Sequence, residues 1–184
     1  MEINVQEVNN RLLDQYIFEI ANDNQESLSN LYNMTSKKVY GFIFSTIKNK
    51  HDAEDILHDT YISIYHSSKN YQSTGKPYSW ILGIARNLTL LRLRDNKKST
   101  PIAYEDFEEN IDYQKDVSIE DKLVIREFLE TLSLEEREIV YLYSIAGFKH
   151  REIAQLLKLP LPTVLSKYHR AIKKLKIKYQ EGEK

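Results

Sequence analysis

Cysteine is absent from this chain of 184 residues, and its absence excludes three kinds of chemistry at once. Without a thiol, the chain forms no disulfide framework, performs no thiol catalysis and holds no cysteine-ligated zinc. Proteins of reducing compartments commonly have such a composition. The sequence alone therefore favours a cytoplasmic protein.

Long apolar runs are also missing. Residues 1–15 are acidic and polar rather than basic and then apolar, which argues against a secretory signal. No run approaches the about 20 apolar residues that a membrane span needs. Strand-like alternation and motifs for nucleotide hydrolysis are not found either. We therefore expect an all-α protein with no direct membrane insertion.

Charge is distributed unevenly along the chain, although the net charge is only −1. Residues 1–97 carry 11 basic and 11 acidic side chains, residues 98–117 carry 2 and 6, and residues 118–184 carry 13 and 10. Helical periodicity disappears in the acidic middle part. The pattern predicts two small helical domains, 1–97 and 118–184, joined by an acidic flexible linker at 98–117.

Apolar residues recur at helical spacing through both predicted domains. The predicted helices span residues 5–20, 28–48, 53–67, 78–96, 119–130 and 134–146. Ser133 and Glu136 match a capping box, and Gly147 is placed to end the last of these helices by a left-handed turn.

The stretch 144–178 consists of two further helical runs separated by a proline-rich turn. Its second run has six basic residues and no acidic one: Lys167, Arg170, Lys173, Lys174, Lys176 and Lys178. This pattern indicates a helix-turn-helix whose last helix offers Thr163, Leu165, Ser166, Lys167 and Arg170 to a DNA groove. The alternative is a solvated basic helix within a helical bundle.

Three aspartates, Asp52, Asp55 and Asp59, fall on one side of the helix predicted at 53–67. Three interpretations remain open: a solvated acidic face, a docking surface for a basic partner, or a metal site built on Asp55 and His58. The di-iron type of site needs a second such pair and further glutamates from facing helices, which the sequence does not offer. We therefore expect no metal and no cofactor.

Aromatic and basic residues are interleaved between residues 71 and 96. A loop at Tyr71–Pro77 precedes a helix with Trp80 on its apolar side and Arg86, Asn87, Arg92 and Arg94 on the other. Unpaired bases stack on rings while cations hold the backbone, so this region is a candidate for single-stranded DNA. The alternative is that the rings, Trp80 above all, are core residues.

These stretches together resemble the extracytoplasmic-function group of bacterial sigma factors, the small two-domain members of the sigma-70 class. DAEDILHDTY at 52–61 is similar to the family's polymerase-binding helix, and WILGIARNL at 80–88 is similar to its W-L-x-x-I-A-R-N run. The segments 132–138, 152–154 and 163–171 resemble region four.

The resemblance implies a sigma factor that brings core RNA polymerase to promoters, of a stress or envelope-response regulon, without being an enzyme. The implied partners are the β′ clamp helices and the β flap of the polymerase, promoter DNA and an anti-sigma protein.

The resemblance also implies which residues make these contacts. The β′ contacts would be Asp52, Asp55, Ile56 and Asp59. Contacts to the minus-ten element would be Tyr71, Tyr78, Trp80, Asn87, Arg92 and Arg94. Contacts to the minus-thirty-five element would be Thr163, Ser166, Lys167, Arg170 and Lys174. The acidic linker would thread toward the RNA exit path.

The chain departs from the family pattern around the last turn, which holds Lys158, Pro160 and Pro162 where a glycine and a capping serine or threonine are usual. Leu165 also stands at an often basic position, which affects base preference. We predict that the amides of Thr163 and Val164, lacking a cap, meet a DNA phosphate. The rival to the sigma interpretation is a free-standing helix-turn-helix regulator. It explains the C-terminal half but gives no task to the acidic helix.

Overall fold

The computed structural model describes residues 5–96 and 130–182, and these ranges contain helices but no strand. The helices are α1 Val5–Ala21, α2 Gln25–Ile47, α3 Lys50–Ser67, α4 Pro77–Asn96, α5 Leu134–Ser144, α6 His150–Leu157 and α7 Leu161–Gly182, with a 3-10 turn at Ser68–Asn70. The all-α prediction is confirmed. The predicted linker lies outside the described residues, and so does the helix predicted at 119–130 except for Glu130, which is helical.

The chain divides into two compact units. Within the described residues, the first unit holds 5–43 and 51–96, and the second holds 44–50 and 130–182. The domain boundaries drawn from charge, after residues 97 and 117, stay a prediction.

The core of the first unit is built from the apolar faces of its four helices, with α1 packed against α4 and against the 3-10 turn. Its buried side chains recur three and four residues apart, as an amphipathic helix requires. They include Ile17 and Ile20 on α1, Val39 and Phe42 on α2, Leu57 and Tyr61 on α3, and Leu82 and Ala85 on α4. Thr35 and Tyr61 join α2 to α3 through a buried hydroxyl pair at 2.6 Å.

Short polar breaks separate the first three helices. Asp23 adopts a left-handed conformation (φ 63), and the Asn24 side chain accepts a hydrogen bond from the Ser27 amide at 3.1 Å, which caps α2. Left-handed Lys48 (φ 59) follows α2. Helix α3 then begins at Lys50, three residues before the predicted start at Ala53, so Asp52 lies within the first turn instead of before it.

In the second unit, local signals fix each helix end. Ser133 and Glu136 form the predicted capping box at the start of α5, with 2.9 Å from the Ser133 amide to Glu136 Oε2. Gly147 takes up the predicted left-handed turn (φ 79), and the Phe148 amide donates back to the Leu142 carbonyl. Lys158, also left-handed, ends α6.

Candidate functional site

The acidic side of α3 has an exposed and a buried part. Glu54 and Asp59 are exposed, and the Asp55 side chain is 47% exposed. Ile56 is only 2% exposed and lies in the core, so its side chain supports this face from below instead of forming it. The surface that α3 offers to a partner therefore consists of Glu54, Asp55 and Asp59.

Asp52 is held inside the first unit by α4. Arg92 donates through Nη1 to Asp52 Oδ1, and Asn96 Nδ2 donates to Asp52 Oδ2 at 2.9 Å. The second Arg92 nitrogen lies 3.8 Å from Asp55. The structure thus places two residues expected at different interfaces, Asp52 and Arg92, in one internal ion pair between α3 and α4.

One group of His, Asp and Glu side chains within the described residues is close enough together to hold a metal ion. It consists of His51, Asp52 and Asp55. Asp55 and His58, the pair considered from the sequence, do not form this group. The Arg92 guanidinium pairs with both carboxylates, so a cation already compensates their charge. The arrangement favours an ion-pair network over a metal centre.

Tyr71 lies in the core of the first unit, not at its surface. Its ring packs at 5.7 Å between centroids from Phe18 and at 4.7 Å from Trp80, and its hydroxyl donates to Asp14. Burial raises the pKa of Tyr71, and the Asp14 carboxylate raises it further, which keeps the hydroxyl protonated as a donor. The expected stacking of Tyr71 on a base does not fit this position, because its ring is buried.

The outward side of α4 is formed by Asn87, Leu91 and Arg94, which follow one another at helical spacing. Asn87 is exposed, and the Arg94 side chain is 67% exposed. Leu91 lies on this side as well and is 45% exposed, although apolar residues at helical spacing are usually buried. Tyr78 and Trp80 are half-buried at the start of the helix. Asn87 and Arg94 are the expected minus-ten residues that remain most accessible.

Two of the expected minus-thirty-five residues bind α5 instead of facing away from the protein. Lys167 Nζ lies 2.7 Å from Glu135 Oε2, and Lys174 Nζ lies 2.7 Å from Glu136 Oε2. Burial alone would raise the pKa of Glu136, but the bonds from Lys174 and from Ser133 outweigh it and hold that pKa below its usual range. Lys167 and Lys174 therefore fasten α7 to α5.

The outward side of α7 carries Leu165, Ser166, His169 and Arg170, all of them exposed, while Val164 and Ala171 are buried on the opposite side. Thr163, which was expected to contact the minus-thirty-five element, is half-buried. Its backbone carbonyl accepts a hydrogen bond from the Ser166 hydroxyl at 3.0 Å. His169 was not among the residues expected at DNA, but the spacing of Ser166, His169 and Lys173 places it on the same side of α7.

The N-terminus of α7 contradicts the phosphate prediction. The amides of Thr163 and Val164 donate to the Pro160 carbonyl at 2.9 and 3.1 Å, so they are engaged within the first helical turn. Pro162, the second residue of α7, fits this turn as expected because it needs no amide partner there.

A cluster of three rings joins the three helices of the second unit. The His150 ring stacks on Tyr143 at 4.3 Å and meets Tyr168 edge-on at 4.9 Å. Burial and nearby His169 lower the pKa of His150, so its ring is neutral near pH 7. These contacts join α5, α6 and α7 behind the outward side of α7.

Comparison with protein families and known proteins gives two kinds of match. The family model for sigma-70 region 2 matches residues 31–99, and that for sigma-70 region 4 matches residues 122–175. SigM, an ECF RNA polymerase sigma factor of Bacillus subtilis (strain 168), is 26% identical over 159 residues, covering 85% of this chain and 97% of SigM. SigX of the same organism is 24% identical over 161 residues, covering 83% of each protein.

Two solved structures share the fold. CnrH, solved in complex with the cytosolic domain of CnrY, is 20% identical with a TM-score of 0.68, covering 92% of this chain and 98% of CnrH. The sigma factor RpoE of Bartonella quintana, solved with the anti-sigma factor NepR, is 18% identical with a TM-score of 0.69, covering 80% of this chain and 92% of RpoE.

Proposed function

The chain belongs to the extracytoplasmic-function group of the sigma-70 family and is an RNA polymerase sigma factor, and from this premise we propose which of its surfaces binds each partner. Sigma factors of this family bind core RNA polymerase and promoter DNA. Three outward faces are proposed for these partners: the acidic side of α3 for the polymerase, the outward side of α4 for the minus-ten element and that of α7 for the minus-thirty-five element.

The polymerase face consists of Asp55 and Asp59, with Glu54 beside them, and it binds the β′ clamp helices. Support comes from their exposure and from the shape of α3, which buries Ala53, Ile56 and Leu57 on its other side. Asp52 and Ile56 act indirectly, by holding α3 in place. Electrostatic attraction of this kind speeds docking and weakens with salt.

The minus-ten face uses Asn87 and Arg94 on α4. The exposed amide of Asn87 offers both a donor and an acceptor to base edges, and the exposed guanidinium of Arg94 holds the phosphate backbone. Leu91 lies between them on the same side and supplies apolar contact area. Tyr78 and Trp80 remain candidates for stacking at the start of the helix, whereas Arg92 and Tyr71 serve the fold.

The minus-thirty-five face consists of Leu165, Ser166, His169 and Arg170 on α7. Arginine binds guanine edges in the major groove, serine and histidine exchange hydrogen bonds with several bases, and leucine suits the thymine methyl group. Exposed Lys173 and Lys176 follow toward the phosphates. Lys167 and Lys174 orient the helix through α5.

The remaining roles follow the same premise. We propose that residues 98–117, which lie outside the described residues, connect the two DNA-binding units, so that polymerase docking sets these units at the promoter spacing. The chain acts in the cytoplasm and adds recognition to the polymerase without a catalytic step of its own. No described helix is long and apolar enough to cross a membrane. Since CnrH and RpoE were solved with CnrY and NepR, we also infer a regulatory partner of the anti-sigma kind for this chain.

The observation that carries the proposal is that each face keeps exposed polar or charged side chains after residues held in internal ion pairs, such as Asp52 and Lys167, are set apart. Asp55 lies 3.8 Å from Arg92, but its side chain is still 47% exposed. Run-off transcription from a promoter library, with core polymerase and with or without the chain, tests it. We expect new start sites that need the chain. Asn87→Ala and Arg94→Ala should reduce open-complex formation about tenfold, whereas the exposed control Lys69→Ala should not. Equal transcription by all variants would contradict the assignment of α4.

A further inference from the structure

The loop at residues 71–77 is fastened to α1, a helix that precedes the region-2 match at residues 31–99. Tyr71 opens this loop with its ring packed between Phe18 of α1 and Trp80 of α4. The first loop residue therefore cannot turn toward solvent without breaking core contacts.

One carboxylate organises the residues that follow. Asp14 accepts the Tyr71 hydroxyl on Oδ1 and the Ser73 hydroxyl on Oδ2, the latter at 2.8 Å. Ser73 Oγ in turn accepts the Gly75 amide at 3.3 Å. A continuous chain of hydrogen bonds thus runs from Asp14 through Ser73 to the backbone of Gly75, whose φ of +72 allows the loop to turn.

A second α1 side chain reaches the same turn. Asn10 lies one helical turn before Asp14, on the same side of α1, and its Nδ2 donates to the Gly75 carbonyl at 3.4 Å. Both backbone groups of Gly75 are therefore linked to α1, the amide through Ser73 and Asp14 and the carbonyl through Asn10.

The residues between these anchors are presented outward. Gln72 and Thr74 are exposed, while Tyr71 is buried and Ser73 bonds to Asp14. An amide and a hydroxyl can exchange hydrogen bonds with the edges of an unpaired base. The loop leads directly into Pro77, the first residue of α4.

We propose that Asp14 is a positioning residue for minus-ten recognition, because its carboxylate fixes the loop that presents Gln72 and Thr74 beside α4. This role rests on the proposed function of α4. Asp14 itself touches no DNA, and it acts through Ser73 and Gly75 on the two side chains that do.

The test uses the full chain bound to core polymerase and promoters in which each minus-ten base is changed in turn. Opening is followed by the fluorescence of 2-aminopurine placed in that element. Asp14→Asn keeps the size of the side chain, and Ser73→Ala breaks the chain of hydrogen bonds at its middle. Asp23→Asn is the matched control, because Asp23 also accepts a tyrosine hydroxyl, from Tyr65 at 2.9 Å, but makes no bond to the loop.

We expect Asp14→Asn to slow opening about tenfold, the size of effect that loss of a charged hydrogen-bond acceptor produces. It should also flatten the preference for the base read by the loop. Gln72→Ala or Thr74→Ala should flatten the preference at that same position. The Asp14→Asn and Ser73→Ala double variant should be no worse than Asp14→Asn alone, because both changes break one chain. Affinity for core polymerase should be unchanged in all of them, and Asp23→Asn should behave as wild type.

Three results would overturn the proposal. The first is an Asp14→Asn variant that melts at a lower temperature but keeps the opening rate and base preference, since Asp14 would then serve only the fold. The second is an additive double variant. The third is an unchanged base preference in Gln72→Ala and Thr74→Ala while Asn87→Ala and Arg94→Ala open slowly, which leaves the function of α4 standing. If Asn87→Ala and Arg94→Ala also opened normally, the proposed function of α4 would fail together with this inference.

Discussion

Lys158 links α6 to α7 in a left-handed conformation, with φ 55 and ψ 42, at a position where the resemblance leads one to expect glycine. A side chain with a Cβ atom pays a steric cost there that glycine avoids. We expect Lys158→Gly to raise the free energy of unfolding by about 0.5–1 kcal/mol, after the greater chain entropy of glycine is subtracted. Thermal and urea unfolding followed by circular dichroism measure it.

Lys176→Gly is the matched control, since Lys176 is an exposed lysine in the interior of α7. Glycine at such a helical position should lower the free energy of unfolding by about 1 kcal/mol. If both replacements destabilised the protein equally, the conformation of Lys158 would carry no strain.

Glu136 makes stability depend on acid pH. Its pKa is lower in the folded protein than in the unfolded chain, because Lys174 and Ser133 bond to its carboxylate. The stability it adds is therefore fully present above its unfolded pKa of about 4.3 and is lost as pH falls through the folded value. We expect the free energy of unfolding of Glu136→Gln to fall less steeply than that of wild type below about pH 4.3.

Urea unfolding at a series of pH values from neutral downward measures this difference. Glu152→Gln is the control for the loss of a capping carboxylate, since Glu152 accepts the Lys149 amide at the start of α6. A Glu136→Gln profile parallel to wild type would show that this carboxylate adds no acid-dependent stability.

The identity of charge partners could not be read from the sequence. Arg92 lies 40 positions from Asp52, and Lys174 lies 38 positions from Glu136, so no local spacing connects them. Sequence patterns show which side of a helix is polar, but only packing decides which cation meets a carboxylate. For that reason the ion pairs of Arg92, Lys167 and Lys174 within the protein could not be predicted, and their contacts to DNA stay a prediction.

Helices α3 and α4 are joined near their ends by Arg92, Asn96 and Asp52. The side chains of Arg92 and Asp52 are 32% and 15% exposed, so the pair is shielded enough to matter. We expect Arg92→Met and Asp52→Asn each to lower the free energy of unfolding by about 1–2 kcal/mol. Urea unfolding of both variants and of the double variant measures the effect.

The double variant should fall short of the sum of its parts by about 1 kcal/mol, because both changes remove one interaction. Arg94→Met is the control for stability, and this exposed position should stay within about 0.5 kcal/mol of wild type. Strictly additive losses would mean that Arg92 and Asp52 do not stabilise the protein through each other.

Two residues on the outward side of α7 should differ in their effect on DNA binding, Arg170 in base preference and Lys173 in affinity for any sequence. Arg170→Ala should weaken binding of holoenzyme to a promoter with a minus-thirty-five element roughly tenfold or more and relax the preference at one base. Lys173→Ala should weaken all sequences alike and reduce the salt dependence of binding by about one phosphate contact. Fluorescence anisotropy over a range of salt and base changes measures both, and identical effects of the two variants would contradict the division.

Helices themselves were predictable from the sequence, because apolar spacing and end signals agree in each of them. The Ser133 and Glu136 capping box and the Gly147 turn lie where local chemistry placed them. The predicted start of α3 at Ala53 was too late, since Asp52 lies in the first helical turn and bonds to α4. Loop geometry was the least predictable part, since the position of Tyr71 depends on Asp14, 57 residues earlier.

The net charge of −1 describes the whole molecule poorly, because function depends on where charge is exposed. Acidic side chains are exposed on α3, and basic side chains are exposed on α7. The charge of α3 complements a basic protein surface, and the charge of α7 complements DNA. On the proposed function, docking to the polymerase makes the second DNA contact intramolecular, so that the two contacts act together.

The central claim is that the exposed acids of α3 bring the chain to the polymerase. The most direct measurement is promoter-specific run-off transcription, with core polymerase, of the Asp55→Lys and Asp59→Lys double variant. The control is Glu26→Lys, a charge reversal of the same kind at an exposed position on α2. We expect the double variant to lose core binding and transcription by at least about tenfold while keeping its fold, and Glu26→Lys to transcribe as wild type. Full transcription by the double variant would contradict the claim.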